Sequence, residues 1–286
     1  MKKAEYSDLP SELIDAIFDT LWNITYSKRT LLRNCLPVST DFRHRIMSRF
    51  CSYVDLSDHD EERVARLRES ITRSPDSRLG GIGRYIKHFS LILRQDWYAP
   101  VSGILLQVVD DSHLVAVLEG LRGDDFGVTE LSLTVPAECL ASDSALWIDL
   151  PTSLRSAFQS LLHSPYLTRL NLTNLAVPES IFSGSFLQDL SIQKATNPRL
   201  DEPPLDIREL DFVPVSVSPL PSLVSLRTDY SHEIYSTHLP ESMLDKLKIF
   251  TELPNRFLSS QRTWHMLGVS ASSLTEISID HTGELQ

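Results

Sequence analysis

One apolar pattern recurs through most of the 286-residue chain, and it constrains the fold more than any other feature. Each copy has an apolar residue, two variable positions, a second apolar residue, one variable position and a third apolar residue. The first copy begins at residue 86, and later copies begin 42, 39, 20, 20, 16, 21 and 30 residues further on. The copies are Ile86/Phe89/Leu91, Val128/Leu131/Leu133, Leu167/Leu170/Leu172, Leu187/Leu190/Ile192, Ile207/Leu210/Phe212, the degenerate Leu223/Leu226/Thr228, Leu244/Leu247/Ile249 and Leu274/Ile277/Ile279.

The last two apolar residues of each copy lie two positions apart, so they point to the same face of a short strand. A single strand cannot bury that face, whereas neighbouring copies stacked into a parallel sheet form a continuous core. Residues 61–71, 113–121 and 153–167 precede copies and have the apolar spacing of helices. The middle spacings lie near the ~20–29-residue period of leucine-rich repeats. We therefore expect an α/β fold in which residues 56–286 form an irregular leucine-rich-repeat-like solenoid with a parallel sheet. An ordinary α/β sheet is the alternative.

The charge is unevenly distributed along the chain. Residues 1–100 carry 16 Lys and Arg against 14 Asp and Glu, whereas residues 101–286 carry 11 against 24. The net negative charge of the second part repels phosphate backbones, so nucleic-acid binding is disfavoured. The same charge favours a protein target with a basic segment. A role of this acidity in solubility alone is the alternative.

The N-terminal segment "LPSELIDAIFDTL" (9–21) has the apolar spacing of an amphipathic helix. Two further short helices are predicted at "RTLLRNCL" (29–36) and from "STDF" (39–42) through Phe50. Such short helices carry more apolar surface than they can bury among themselves, so they need a partner or a larger domain. Acidic residues interrupt the first segment, and no apolar run approaches the ~18 residues of a membrane span. We therefore expect a cytoplasmic or nuclear protein without membrane contact.

The first segment matches the F-box opening L-P-x-E-L-x-x-x-I-x-x-x-L, and "LLRNCLPVSTDF" (31–42) resembles the second half of that motif. Ser39 and Phe42 stand where the motif has Cys and Trp. Together with the repeats, the chain resembles the F-box proteins with leucine-rich repeats, particularly the divergent fungal kind. The resemblance implies a three-helix F-box-like module over residues 1–55 that binds the Skp-type adaptor of a cullin–RING ubiquitin ligase. The adaptor contacts that it implies are Leu9, Pro10, Leu13, Ile17, Leu32, Val38 and Phe42.

This resemblance predicts a substrate-recognition subunit of a Skp–cullin–F-box ubiquitin ligase, with adaptor and cullin as partners and the repeats holding a protein target. A scaffolding or structural repeat protein, whose first helices only cap the solenoid, is the alternative. Variable strand positions alternate with the buried ones and must face outward, so they are the candidate target-binding positions. Those in the best copies are Arg169, Asn171, Asp189, Ser191, Glu209, Asp211, Arg227 and Asp229.

No motif in the sequence indicates an enzyme. The glycines of "GGIGR" (80–84) precede a predicted strand, which is the wrong order for a phosphate-binding loop. The sequence has neither the H-E-x-x-H pattern of zinc proteases nor a G-x-S-x-G nucleophile elbow. Its three cysteines have no paired spacing that would indicate a zinc site. We therefore predict a non-catalytic protein without cofactor or metal.

Overall fold

A computed structural model of the chain describes residues 13, 16–17, 19–20, 40–56, 61–72, 81–93, 112–123, 125–136, 145–147, 150–193, 220–228, 241–252 and 267–279. The chain divides into two compact units, Met1–Phe50 and Cys51–Gln286. Within the described ranges, no helix is long and apolar enough to cross a membrane.

The described part of the first unit is helical. Residues 13, 16–17 and 19–20 are helical, and helix α1 spans Thr40–Phe50. It starts inside the "STDF" segment, where the sequence predicts the third helix. An ion pair between Arg49 and Asp19 joins α1 to the first helical segment, with 2.5 Å between Nη2 and Oδ1. The predicted second helix lies outside the described residues.

The described residues of the second unit have an α/β fold. Their strands are β1 (Tyr53–Leu56), β2 (His88–Ile92), β3 (Glu130–Thr134), β4 (Ala145–Leu146), β5 (Arg169–Thr173), β6 (Leu175–Ala176), β7 (Asp189–Gln193), β8 (Ser225–Thr228), β9 (Ile249–Glu252) and β10 (Glu276–Ile279). Eight of these strands form a parallel sheet in the order β1-β2-β3-β5-β7-β8-β9-β10, which follows the chain without reversal. Strands β4 and β6 form a separate two-stranded parallel sheet.

Helices precede several strands and pack in chain order. The helices are α2 (Glu61–Thr72), α3 (Ser112–Gly120), α4 (Thr152–Leu162) and the short α5 (Glu241–Leu244). Helix α2 packs against α3, and α3 packs against α4. Short 3-10 helices span Ile82–Tyr85 and Glu179–Phe182.

The core lies between these helices and one face of the sheet. The second and third apolar residues of the copies at β2, β3, β5 and β7 are buried there, as the alternating pattern predicts. The predicted apolar faces of α2, α3 and α4 close the same core from the other side. Their buried apolar residues are Val64, Ile71, Leu114, Val117, Leu118, Leu154, Ala157, Phe158, Leu161 and Leu162. Leu67 on α2 is partly buried, and Leu121, directly after α3, is buried as well. The predicted parallel sheet with an apolar face is therefore confirmed.

Strand β1 reveals a copy of the pattern that the sequence analysis did not identify. Val54 pairs with Phe89 and Leu56 with Leu91, which puts Cys51 at the first apolar position of the copy. The partly buried Cys51 thus stands where later copies carry leucine, isoleucine or valine. Residues 53–55, which the sequence places in the helical module, belong to the sheet.

The predicted copy Leu244/Leu247/Ile249 is wrong by three residues. Phe250 pairs with Leu226 on the core face and is only 1% exposed, whereas Ile249 pairs with Ser225 on the opposite face. The copy therefore begins at Leu247. Leu244, Leu247 and Ile249 match the apolar pattern at all three positions, whereas the copy that begins at Leu247 has Glu252 at its third position. The sequence therefore favours the first register, and pairing with β8 selects the second. The predicted copy at 207–212 lies outside the described residues, and β7 pairs directly with β8.

Candidate functional site

The candidate site is the outer face of the sheet, which we define as the strand side chains that point away from the core. Parallel, in-register pairing aligns these side chains in rows that cross the strands. The first row is Tyr53, His88, Glu130, Arg169, Asp189, Ser225, Ile249 and Glu276. The second row is Asp55, Ser90, Ser132, Asn171, Ser191, Arg227, Thr251 and Ser278.

The first row contains a chain of polar and charged side chains. His88 Nδ1 lies 3.0 Å from Glu130 Oε2, and Arg169 Nη1 lies 3.9 Å from the same oxygen. Arg169 Nε also donates a 2.9 Å hydrogen bond to Asp189 Oδ2. These side chains are partly exposed, and exposed ion pairs contribute only about 0–1 kcal/mol to stability. The chain of pairs therefore acts mainly by fixing the side chains and by neutralising Glu130 and Asp189 locally.

The second row is linked to the first through Asn171. Its Nδ2 donates hydrogen bonds of 3.0 Å to Glu130 Oε1 and 3.0 Å to Ser132 Oγ, which uses both amide hydrogens. On the neighbouring strand, Gln193 Nε2 donates a 3.1 Å hydrogen bond to Ser191 Oγ. Glu130 therefore receives polar contacts from two neighbouring strands, β2 and β5, and the central part of the outer face is preorganised.

Arg227 differs from the other charged residues at the centre of this face. It lies on β8 in the second row, in register with Ser191 on one side and Thr251 on the other. Arg227 is exposed. Within the described part of the chain, it forms no hydrogen bond or ion pair, so its guanidinium is available to an incoming group.

The structure brings five of the eight predicted target-binding residues to the outer face. They are Arg169, Asn171, Asp189, Ser191 and Arg227. Glu209, Asp211 and Asp229 lie outside the described residues.

His88 and Glu130 are not among the predicted residues, although they belong to the same row of polar and charged side chains. A signal for them was present, because each stands two positions after the first apolar residue of its copy, as Arg169 and Asp189 do.

Two of the predicted adaptor-binding residues are exposed in the first unit. Leu13 is 52% exposed and Ile17 is 41% exposed. Both positions are helical, and residues four apart share one face of a helix. Phe42 belongs to α1, while Leu9, Pro10, Leu32 and Val38 lie outside the described residues.

No family model matches this chain, and no curated protein matches it. Among the described residues, no group of three or more His, Cys, Asp or Glu side chains is arranged to hold a metal ion.

Proposed function

We propose that this chain is a substrate-recognition subunit of a Skp–cullin–F-box ubiquitin ligase. In this proposal the first unit is an F-box-like module that binds a Skp-type adaptor, and the second is an irregular leucine-rich-repeat-like solenoid that binds a protein target. The chain itself performs no chemistry. It acts by holding the target at high effective concentration near the transferring enzyme.

The exposed pair Leu13 and Ile17 is the observation that carries the proposal. Both belong to the segment that matches the F-box opening, and they lie one helical turn apart. Large exposed apolar side chains that share a helix face are typical of protein-binding surfaces. Burying a side chain of this size contributes about 1.5–3 kcal/mol. Two of them are therefore sufficient to decide whether the adaptor binds.

The order of strands supports the repeat-like part of the proposal. Doubly wound α/β sheets reverse their strand order at a switch point. Here the order of the eight strands follows the chain throughout, and consecutive helices pack side by side. That arrangement is typical of stacked repeats, in which each unit contacts its neighbours. Such arrays bind partners on an extended face, and the polar outer face is suited to that role.

Binding to a purified Skp-type adaptor, measured by calorimetry with the full chain, tests the proposal. We expect Leu13→Asp with Ile17→Asp to weaken binding by more than tenfold, because an apolar contact would be replaced by buried charge. Leu9→Ala with Pro10→Ala should have a similar effect.

Phe186→Asp is the matched control, since Phe186 is also exposed and apolar but belongs to the second unit. Circular dichroism confirms that each variant is folded. Wild-type affinity in the Leu13/Ile17 variant would reject the F-box assignment. A chain that does not bind the adaptor at all would instead favour a scaffolding role.

A further inference from the structure

The acidic residues at the centre of the outer face are already paired. Arg169 contacts Glu130 and Asp189, while His88 and Asn171 provide further contacts to Glu130. A basic target segment would have to displace these existing partners to reach either carboxylate. Although residues 101–286 carry a net negative charge, the described carboxylates at the centre of this face therefore do not form a binding site for a basic segment.

Among the described residues at the centre of the face, Arg227 is the cation without a hydrogen bond or ion pair. Its neighbours in the row, Ser191 and Thr251, carry no charge. A guanidinium in such a position binds a carboxylate through two parallel hydrogen bonds, which combines charge attraction with a defined geometry. At physiological salt, charges more than about 8 Å away are largely screened, so the pair at contact outweighs the distant acidic residues.

We infer that the outer face binds a protein segment that is nearly neutral overall and carries an acidic side chain opposite Arg227. This inference rests on the proposed function of the face as the target-binding surface. It reverses the expectation of a basic target, which considered only net charge. The partly exposed Thr251, next to Arg227 in the row, would hydrogen-bond the neutral part of the segment.

A random-peptide phage-display library, selected on the immobilised full chain, tests the inference. We expect enriched peptides to contain Asp or Glu and few Lys or Arg. Arg227→Gln should weaken their binding by about tenfold or more, as expected for loss of a charge-assisted hydrogen bond. Arg227→Lys should restore part of the affinity, and higher salt should weaken binding.

Arg84→Gln is the matched control, because Arg84 is also exposed but lies in the 3-10 helix Ile82–Tyr85 outside the outer face. Its affinity for the peptides should equal that of the wild type. Basic peptides that depend on Asp189 would overturn the inference. Equal affinity of Arg227→Gln and wild type, or selection of no peptide that depends on the outer face, would also overturn it.

Adaptor binding by the same preparation separates this inference from the proposed function. Loss of adaptor binding with retained acidic peptides would reject the ligase assignment and leave the chemistry of the face intact. Normal adaptor binding without acidic peptides would reject only the inference.

Discussion

The side-chain amide of Asn174 donates a 2.7 Å hydrogen bond to the main-chain carbonyl oxygen of Val135. Asn174 is 2% exposed, and its own backbone N–H donates a 2.8 Å hydrogen bond to the carbonyl oxygen of Gln193. One residue therefore connects the ends of three adjacent strands, β3, β5 and β7. Its φ of 59° lies in the left-handed region, which asparagine tolerates better than most residues.

Replacing Asn174 should destabilise the second unit in two separable ways. Asn174→Gly keeps the backbone conformation accessible but leaves the Val135 carbonyl without this donor, at a cost of about 1–3 kcal/mol. Asn174→Ala loses the same hydrogen bond and adds the strain of a positive φ, so we expect a larger loss. Urea unfolding followed by circular dichroism measures both. Equal stability of the alanine variant and the wild type would contradict the assigned role.

Adjacent residues on β5 should respond very differently to truncation. Leu170 is fully buried in the core, whereas Asn171 lies on the outer face. Leu170→Ala should lower the free energy of unfolding by about 2–5 kcal/mol, because it leaves a cavity. Asn171→Ala removes only partly exposed hydrogen bonds, so we expect a loss of about 1 kcal/mol. Chemical denaturation measures the free energy of unfolding of both variants. Similar losses of stability would contradict the placement of Leu170 in the core and Asn171 on the outer face.

A second matched pair tests the corrected register of β9. Phe250→Ala should cost about 3–5 kcal/mol, since Phe250 is buried on the core face. Ile249→Ala should cost clearly less, because Ile249 lies on the outer face and is only partly buried. The originally predicted copy, with Ile249 inside, gives the opposite order. The two thermal unfolding midpoints therefore distinguish the registers.

Much of the sheet could be predicted from sequence because its signal is local. Leu131 and Leu133 stand two apart after an apolar Val128, and the same spacing recurs at β2, β5 and β7. Such a pattern needs only strand geometry and burial to be interpreted. The face that each side chain occupies follows from this pattern, and it predicts Arg169 and Asp189 on the outer face, where they pair in register.

The remaining features depend on partners that are distant in sequence. The register of β9 is set by pairing with β8, and nothing within residues 244–250 selects it. The contact between Asn174 and Val135 spans 39 residues. Which charged side chains on the outer face can bind a partner likewise depends on which carboxylates are already paired. A count of charged residues in the sequence does not show those pairs.

The copy at β1 places Cys51 at an apolar position, where its surroundings should lower the reactivity of the thiol. Burial raises the pKa of the Cys51 thiol, because a low-polarity environment disfavours the thiolate. Since the thiolate is the reactive form, Cys51 should be alkylated by iodoacetamide more slowly in the folded chain than in urea at the same pH. The measurement uses a background in which Cys35 and Cys139 are replaced by serine.

The raised pKa also fixes the sign of a pH effect on stability. Below the unfolded-state pKa of about 8.5, the thiol is protonated in both states and contributes no pH dependence. Above it, the unfolded chain loses the proton first, so the free energy of unfolding falls as pH rises toward the folded-state pKa.

Cys51→Val keeps an apolar residue at the position but cannot ionise, and we expect its stability to differ from the background by less than about 1.5 kcal/mol at neutral pH. With increasing alkalinity the valine variant should become progressively more stable than the background. Parallel pH profiles for the two proteins in urea unfolding would show that the Cys51 thiol ionises equally easily in both states.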